Sequence, residues 1–279
     1  MVISVEEFTL NYPINVVVDI GGTGTRIGLA KNHSATSVRS VNVNSYDDLA
    51  IEIRRLTQRA KPSAVAMSVP GVLIDGILKK STVAPWLEGN VEVLLGSYLE
   101  FTNEKVTVVS DGQAHALALR SRPDVKYGAI NFALGTSVAF GVIDAKGRLQ
   151  RPLYGDNWEI GDFQLDTRCK DKSLWYVLGK LGFNELSQWR DADGFEHFGA
   201  RLGNFVSQMS LLFRPRTVGL SGGIITHNWH RIGRGFRKEY DETMNKYVRI
   251  LPKPAVIAQD DEHTALIGLA TLFGRIATG

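Results

Sequence analysis

The stretch VVVDIGGTGTRIGLA, residues 16–30, decides how the chain folds. A β-branched apolar run ends in the carboxylate of Asp19, breaks into Gly21-Gly22-Thr23-Gly24-Thr25, and resumes an extended pattern from Arg26 to Ala30. That pattern predicts strand, turn, strand. Glycine permits positive φ and lets the main chain approach a ligand closely, so such a turn can aim backbone N–H groups at an anion. Two further turns share the setting: Gly135-Thr136-Ser137 behind the predicted strand 129–134, and Ser221-Gly222-Gly223 behind the predicted strand 217–220. A single glycine turn is ordinary hairpin chemistry, and the chain has neither a Walker pattern nor G-x-G-x-x-G. Three of them, each following an apolar strand, point to phosphate.

Working outward, strands are predicted at 38–43, 64–69 and 106–109. Helices are predicted at 46–60, where Leu49, Ile51, Ile53 and Leu56 recur at helical spacing, at 91–99 and at 112–120. The same grammar then repeats, with strands at 129–134, 138–143, 217–220 and 255–258. Helices are predicted at 173–181 and 195–213, behind Gly223, and at 264–275. Interleaved strands and helices predict α/β layering with ligands at the strand ends. The chain has 279 residues, 44% of them hydrophobic and 22% charged, which excludes a disordered or disulfide-stapled protein and allows two domains. No apolar run approaches the ~20 residues of a membrane span. A net charge of +3 is too small to imply nucleic acid, and the basic set Arg231, Arg234, Arg237 and Lys238 reads as a solvated helix face. Without a signal-peptide pattern, and with Cys169 the only cysteine, the expected compartment is the cytoplasm.

Two carboxylates follow buried strands. Asp19 is suited to hold magnesium through water, since that ion usually joins one or two carboxylates to substrate phosphates. Asp111 opens the helix behind strand 106–109. Its structural reading is an N-cap, and its functional reading is a general base for an attacking hydroxyl. His115, His227, His230 and His263 have no metal-ligand spacing and read as surface or partly buried residues. Ser68 and Ser137 lack the G-x-S-x-G setting of a hydrolase nucleophile.

Taken in order, DIGGTGTRIGLA (19–30), SVPGVLIDG (68–76), APWL (84–87), VVSDGQAHAL (108–117), LGTSVAFGVI (134–143), WEIGD (158–162), LSGGI (220–224) and EHTALIGLA (262–270) resemble the ROK sugar kinases of the actin-like ATPase superfamily. The resemblance covers nearly the whole chain. It implies two actin-like, ribonuclease H-like α/β domains around a central cleft, 1–112 and 113–263, with a closing helix 264–279 returning to the first. It also implies ATP and magnesium, a sugar acceptor and a homodimer. Asp19, Gly21, Gly22 and Thr23 match the first phosphate motif, Gly135 and Thr136 the second, and Gly222 and Gly223 the glycines beside the adenosine. Asp111 matches the catalytic aspartate that activates the sugar 6-hydroxyl. Glu159 matches the glutamate that hydrogen-bonds the sugar ring, and Pro70 and Gly71 match the turn lining the sugar pocket.

The departures fall mostly in the substrate site. Ser110 and Trp86 stand where the family has asparagines, and Asp162 stands where it has a histidine. Gly24 stands where lysine or asparagine is common in the first phosphate motif. With the family's cysteine cluster reduced to Cys169, no structural zinc is expected. A site built to hydrogen-bond a hydroxyl discriminates by ~10⁴ against a ligand lacking it, so changed polar residues at 86, 110 and 162 bear on the choice of sugar. The expected activity is ATP-dependent phosphorylation of a hexose 6-hydroxyl, with glucose as the default. Two alternatives stay open: a sugar-binding or regulatory relative with weak or no kinase activity, and an acetylated amino-sugar kinase. The segment before Val16 is expected to be too short for the DNA-binding helix-turn-helix of ROK repressors.

Overall fold

The computed structural model describes residues 13–22, 24–101, 105–160, 173–187, 192–247 and 251–273; Thr23, Asp162 and Cys169 lie outside them. Strand β1 (Asn15–Gly21) is followed by antiparallel β2 (Gly24–Lys31) and β3 (Ser34–Val41), then by helix α1 (Tyr46–Leu56) and β4 (Ala64–Val69), which joins β1 in parallel. A small hairpin, β5 (Val72–Ile74) and β6 (Ile77–Lys80), precedes α2 (Val91–Tyr98) and β7 (Val106–Ser110). Helix α3 (Asp111–Leu117) leads to the antiparallel strands β8 (Ala129–Leu134), β9 (Val138–Ile143) and β10 (Leu149–Gln150). Then come α4 (Leu174–Leu178), α5 (Lys180–Ser187), α6 (Ala192–Phe213), β11 (Thr217–Ser221), α7 (Gly223–Asn245), β12 (Ala255–Ala258) and α8 (Thr264–Ala270).

The sheet orders are β3-β2-β1-β4-β7 and β10-β9-β8-β11-β12. Each has three antiparallel strands followed by two added in parallel, so the second sheet repeats the first. Covered faces explain the uninterrupted valines of β1. Val16 and Val18 pack with Leu49, Ile53 and Leu95 of α1 and α2, while Val17 packs on the other side with Ala265, Leu266 and Leu269 of α8. The second core joins Phe132 and Phe140 to Phe198, Leu202, Phe236 and Tyr240 on α6 and α7. The basic residues of α7 are exposed, with Arg231 stacked 3.3 Å from the centroid of the Phe195 ring. Among the described residues no helix is long and apolar enough to cross a membrane.

Several boundaries differ from the expectation. The predicted helix 46–60 stops at Leu56, because Gln58 and Arg59 adopt φ of 53° and 67°. The predicted helix 173–181 is two helices broken at Gly179, and 112–120 ends as a 3-10 turn beyond Leu117. The third strand begins at Ser34 rather than 38, since Asn32 and His33, with φ of 48° and 60°, make a tight turn there. The β5–β6 hairpin was not anticipated, although Asp75-Gly76, at φ of 52° and 72°, carries a strong hairpin signal.

Helix α3 is seated by glycines. A Cβ on Gly112 would collide with the backbone of Phe140 in β9, and one on Gly268 of α8 would collide with the Ala114 carbonyl. Gly268→Ala should therefore destabilise the protein by ~1–3 kcal/mol through overpacking, even though alanine is ~1 kcal/mol the better helix former. The urea midpoint should fall with an unchanged m-value. An equal or higher midpoint would show that α3 and α8 separate without cost.

Candidate active site

Strand register builds the first part of the site. Asp19, near the end of β1, faces Arg26 across the antiparallel pairing and Ser68 across the parallel one. Ser68 Oγ donates to Asp19 Oδ1 at 2.6 Å, and an Arg26 guanidinium nitrogen stands 3.8 Å from Oδ2. The serine is thus an orienting partner of the carboxylate.

Asp111 is not the N-cap of α3. That position belongs to Ser110, whose Oγ accepts from the Gln113 N–H at 3.2 Å while the Ser110 N–H donates to Gln113 Oε1 at 3.0 Å. This reciprocal capping box satisfies two backbone donors, and the Ser-x-x-Gln spacing that signals it stands in the sequence. The Asp111 carboxylate is left uncommitted to the cap and accepts a local bond from the Gly112 N–H at 2.8 Å. Burial pushes its carboxyl up to about 7. The Gly112 N–H opposes that shift, and the negative charges of Glu159 and Asp19 reinforce it. The charges of Glu159 and Asp19 thus both reach Asp111. One turn further along α3, burial holds the His115 imidazole below its usual range, opposed by Asp19 and reinforced by Arg26. His115 Nδ1 is buried with no partner. Sequence reasoning gave this histidine no place near the site; its i+4 spacing from Asp111 was the available signal.

The phosphate-type turns come together across the two sheets. A Cβ on Gly22 would sit 3.1 Å from Thr136 Oγ1, so the first turn lies close against the second. The second turn is closed by Gly135 N–H donating to Ser137 O at 2.9 Å, and Gly135 O accepts from the Lys180 N–H at 2.9 Å. Gly222, at φ of 87°, tucks against the backbone of Leu134, where a Cβ would not fit. It precedes Gly223 at the start of α7, a helix with no side-chain cap, and Thr226 Oγ1 in its first turn is buried without a partner among the described residues. An orphaned hydroxyl, an uncapped helix start and a cradle that a Cβ would fill suit a phosphorylated ligand.

On the opposite side, Pro70 is buried and Gly71 adopts a φ of 128° with the Lys80 carbonyl where a Cβ would stand. The Gly71 carbonyl accepts from Asn157 Nδ2 at 2.9 Å, and the same amide donates to Oε1 of Glu159, an exposed carboxylate. Asn157 was not anticipated, because its partners lie 84 and 86 residues away. Ser110 is 1% exposed and spends its hydroxyl on the cap. Trp86 packs edge-on against Tyr46, centroids 5.5 Å apart, in the first core. A separate cavity of about 320 Å³ beside Arg26, Ser40 and Asn42 contains neither Asp111 nor Glu159. No group of three or more histidine, cysteine or acidic side chains suited to a metal occurs among the described residues. Asp19 alone fits magnesium shared with phosphates rather than a protein cage.

The arrangement of two repeated sheets has counterparts among solved structures. A ROK family protein from Streptococcus pneumoniae in complex with sucrose superposes with a TM-score of 0.77 over 93% of this chain and 97% of its own, at 19% identity. This chain has the ROK fold. A ROK family glucokinase from Streptomyces griseus in complex with glucose and AMPPNP matches with a TM-score of 0.72 over 93% and 98% of the two chains, at 18% identity. A ROK family transcriptional regulator, homologous to the E. coli MLC protein, matches with a TM-score of 0.73 over 93% of this chain and 78% of its own, at 15% identity. Neither a protein-family model nor a curated protein matches the sequence. The ROK architecture is therefore established by shape, at identities too low to carry an activity.

The raised Asp111 pKa has a consequence for stability. Below pH ~4 the carboxyl is protonated in folded and unfolded chains alike, and above ~7 it is ionised in both. Between these values the folded chain binds more protons, so Asp111 costs progressively more stability as pH rises through the window. Asp111→Asn removes that cost. Its stability relative to the unsubstituted protein should improve by ~1–3 kcal/mol from pH 5 to pH 8, measured by urea unfolding without nucleotide. An advantage independent of pH would mean that the carboxyl is freely solvated.

Proposed function

We propose that the protein is an ATP-dependent sugar kinase that phosphorylates a hexose 6-hydroxyl, with glucose as the default acceptor. The observation that carries this reading is the convergence of Asp111 with Asp19 and Glu159, where Asp111 has a carboxyl raised to about 7. A base poised near neutrality can take the proton of an attacking hydroxyl as the phosphoryl group transfers, without being permanently protonated. Glu159 and the Pro70–Gly71 turn hold the sugar. The turns at Gly21-Gly22-Thr23 and at Gly135-Thr136 hold the phosphates, and Gly222 and Gly223 lie beside the adenosine. Magnesium, held through water by Asp19, supplies charge neutralisation on the phosphates. Residues 1–112 and 113–263 act as the two domains, with α8 returning to the first, and their closure excludes water from the transferred group. The glucose and AMPPNP held by the Streptomyces griseus protein support the same pairing of acceptor and donor. Homodimerisation in the cytoplasm is part of this proposal.

The second reading is a sugar-binding regulator. It is favoured by the likeness to the transcriptional regulator and by the commitment of the Ser110 hydroxyl to the helix cap. An acetylated amino sugar is a third acceptor class. A coupled assay with ATP and magnesium across hexoses and acetylhexosamines separates all three: turnover of a hexose supports the first, turnover confined to acetylated sugars the third, and binding without turnover the second. In the kinase, Asp111→Asn should lower kcat by ~10²–10⁴ while nucleotide affinity is kept. Near-normal turnover of a folded variant would remove Asp111 from that role. We further propose that no structural zinc is held. Protein purified without added metal should carry clearly substoichiometric zinc by elemental analysis, and a tightly held equivalent would overturn this.

A further inference from the structure

Asn157 is 9% exposed and spends its whole amide on three partners. Its Oδ1 accepts from the Leu73 N–H at 2.9 Å, and its Nδ2 donates both to the Gly71 carbonyl at 2.9 Å and to Glu159 Oε1. An amide has two N–H donors, and both are used. Its orientation is determined by these partners, because a flipped amide would set a carbonyl against the Gly71 carbonyl and an NH2 against the Leu73 N–H. Leu73 and Gly71 belong to the turn and hairpin of the first half, and Glu159 to the second. One side chain therefore joins the two walls of the acceptor side.

The residue before it extends the connection. Asp156 accepts from the Gly76 N–H at 2.6 Å and from Arg151 at 2.7 Å, and its backbone N–H donates to the Leu73 carbonyl at 2.9 Å. Its own carbonyl accepts from Gln113 Nε2 at 2.5 Å, and Gln113 is the far half of the capping box beneath Asp111. The loop carrying Asn157 is thus tied at one end to the acceptor hairpin and at the other to the helix that presents the candidate base. A bond from an amide N–H to a carboxylate is charge-assisted and stronger than a neutral one, so it is suited to holding Glu159 in one orientation.

We infer that Asn157 is a positioning residue of the acceptor site: it fixes the Glu159 carboxylate against the Pro70–Gly71 turn and thereby sets acceptor affinity. This rests on the reading of Glu159 as the acceptor contact. Asn157→Asp tests it, because the side chain keeps its shape and its acceptor for Leu73 but can no longer donate to Glu159 or Gly71. The acceptor KM should rise roughly tenfold, with the ATP KM within about threefold of normal. Because the effect passes through Glu159, Asn157→Ala should change the acceptor KM much less in a Glu159→Ala background than alone. An unchanged acceptor KM in Asn157→Asp, or full additivity in the cycle, would overturn the inference. If the unsubstituted protein turns over no sugar, the kinase reading has failed separately. Hydrogen exchange then decides the positioning role: Asn157→Asp should accelerate exchange in both 71–74 and 157–159, and unchanged protection in either segment would overturn it. Should Asn157→Asp not fold, Asn157→Ser enters the same measurements, with the same outcomes counting for and against.

Discussion

Helix α3 has its backbone against two neighbours at once, and the site depends on that contact. Gly112 admits the Phe140 main chain of β9 on one side, and Gly268 lets α8 lie against the Ala114 carbonyl on another. Neither approach leaves room for a methyl group. Because β9 belongs to the second sheet and α8 packs on β1 of the first, α3 is held by both halves of the molecule. Its first residue is Asp111, so the carboxylate is carried to the junction and desolvated there. Burial raises its pKa. A wider crossing would admit water and return the carboxyl towards its ordinary range.

The same strand order recurs in the two sheets. The first glycine turn joins β1 to β2, and Gly135-Thr136-Ser137 joins β8 to β9, so the two turns occupy equivalent places in the two sheets. They meet face to face at Gly22 and Thr136. The fourth strands are also equivalent. β4 runs into Pro70–Gly71, and β11 runs into Gly222–Gly223. One topology, used twice, thus brings two matched glycine turns together and gives the two parallel strands different ends.

Local chemistry made much of this legible in the sequence. Glycine after a β-branched run announces a turn at any burial, and the runs 64–69, 129–134, 138–143 and 255–258 are strands as read. Features decided by distant partners were not legible. Nothing near Asn157 signals Gly71 or Leu73, and nothing in the spacing of His115 signals that Asp19 and Arg26 would stand beside it. Helix ends were misjudged where non-glycine residues take positive φ, as Gln58 and Arg59 do, because such residues have no compositional mark. Ser110 is a different case: Ser-x-x-Gln was readable, but the more prominent aspartate beside it drew the assignment of the cap.

The three carboxylates have distinct partners. Asp19 has the Ser68 hydroxyl and the Arg26 guanidinium, and Glu159 has the Asn157 amide. Asp111 has a backbone N–H and, among the described residues, no ion-pair partner. Where the other two carboxylates are oriented by side chains, Asp111 is left to desolvation and to their negative fields, which act in the same direction. Pairing at two positions and isolation at the third thus sets the Asp111 carboxyl apart from the other two. The partners that achieve it are side chains of β2, β4 and the loop behind β10, which converge only when both sheets are complete.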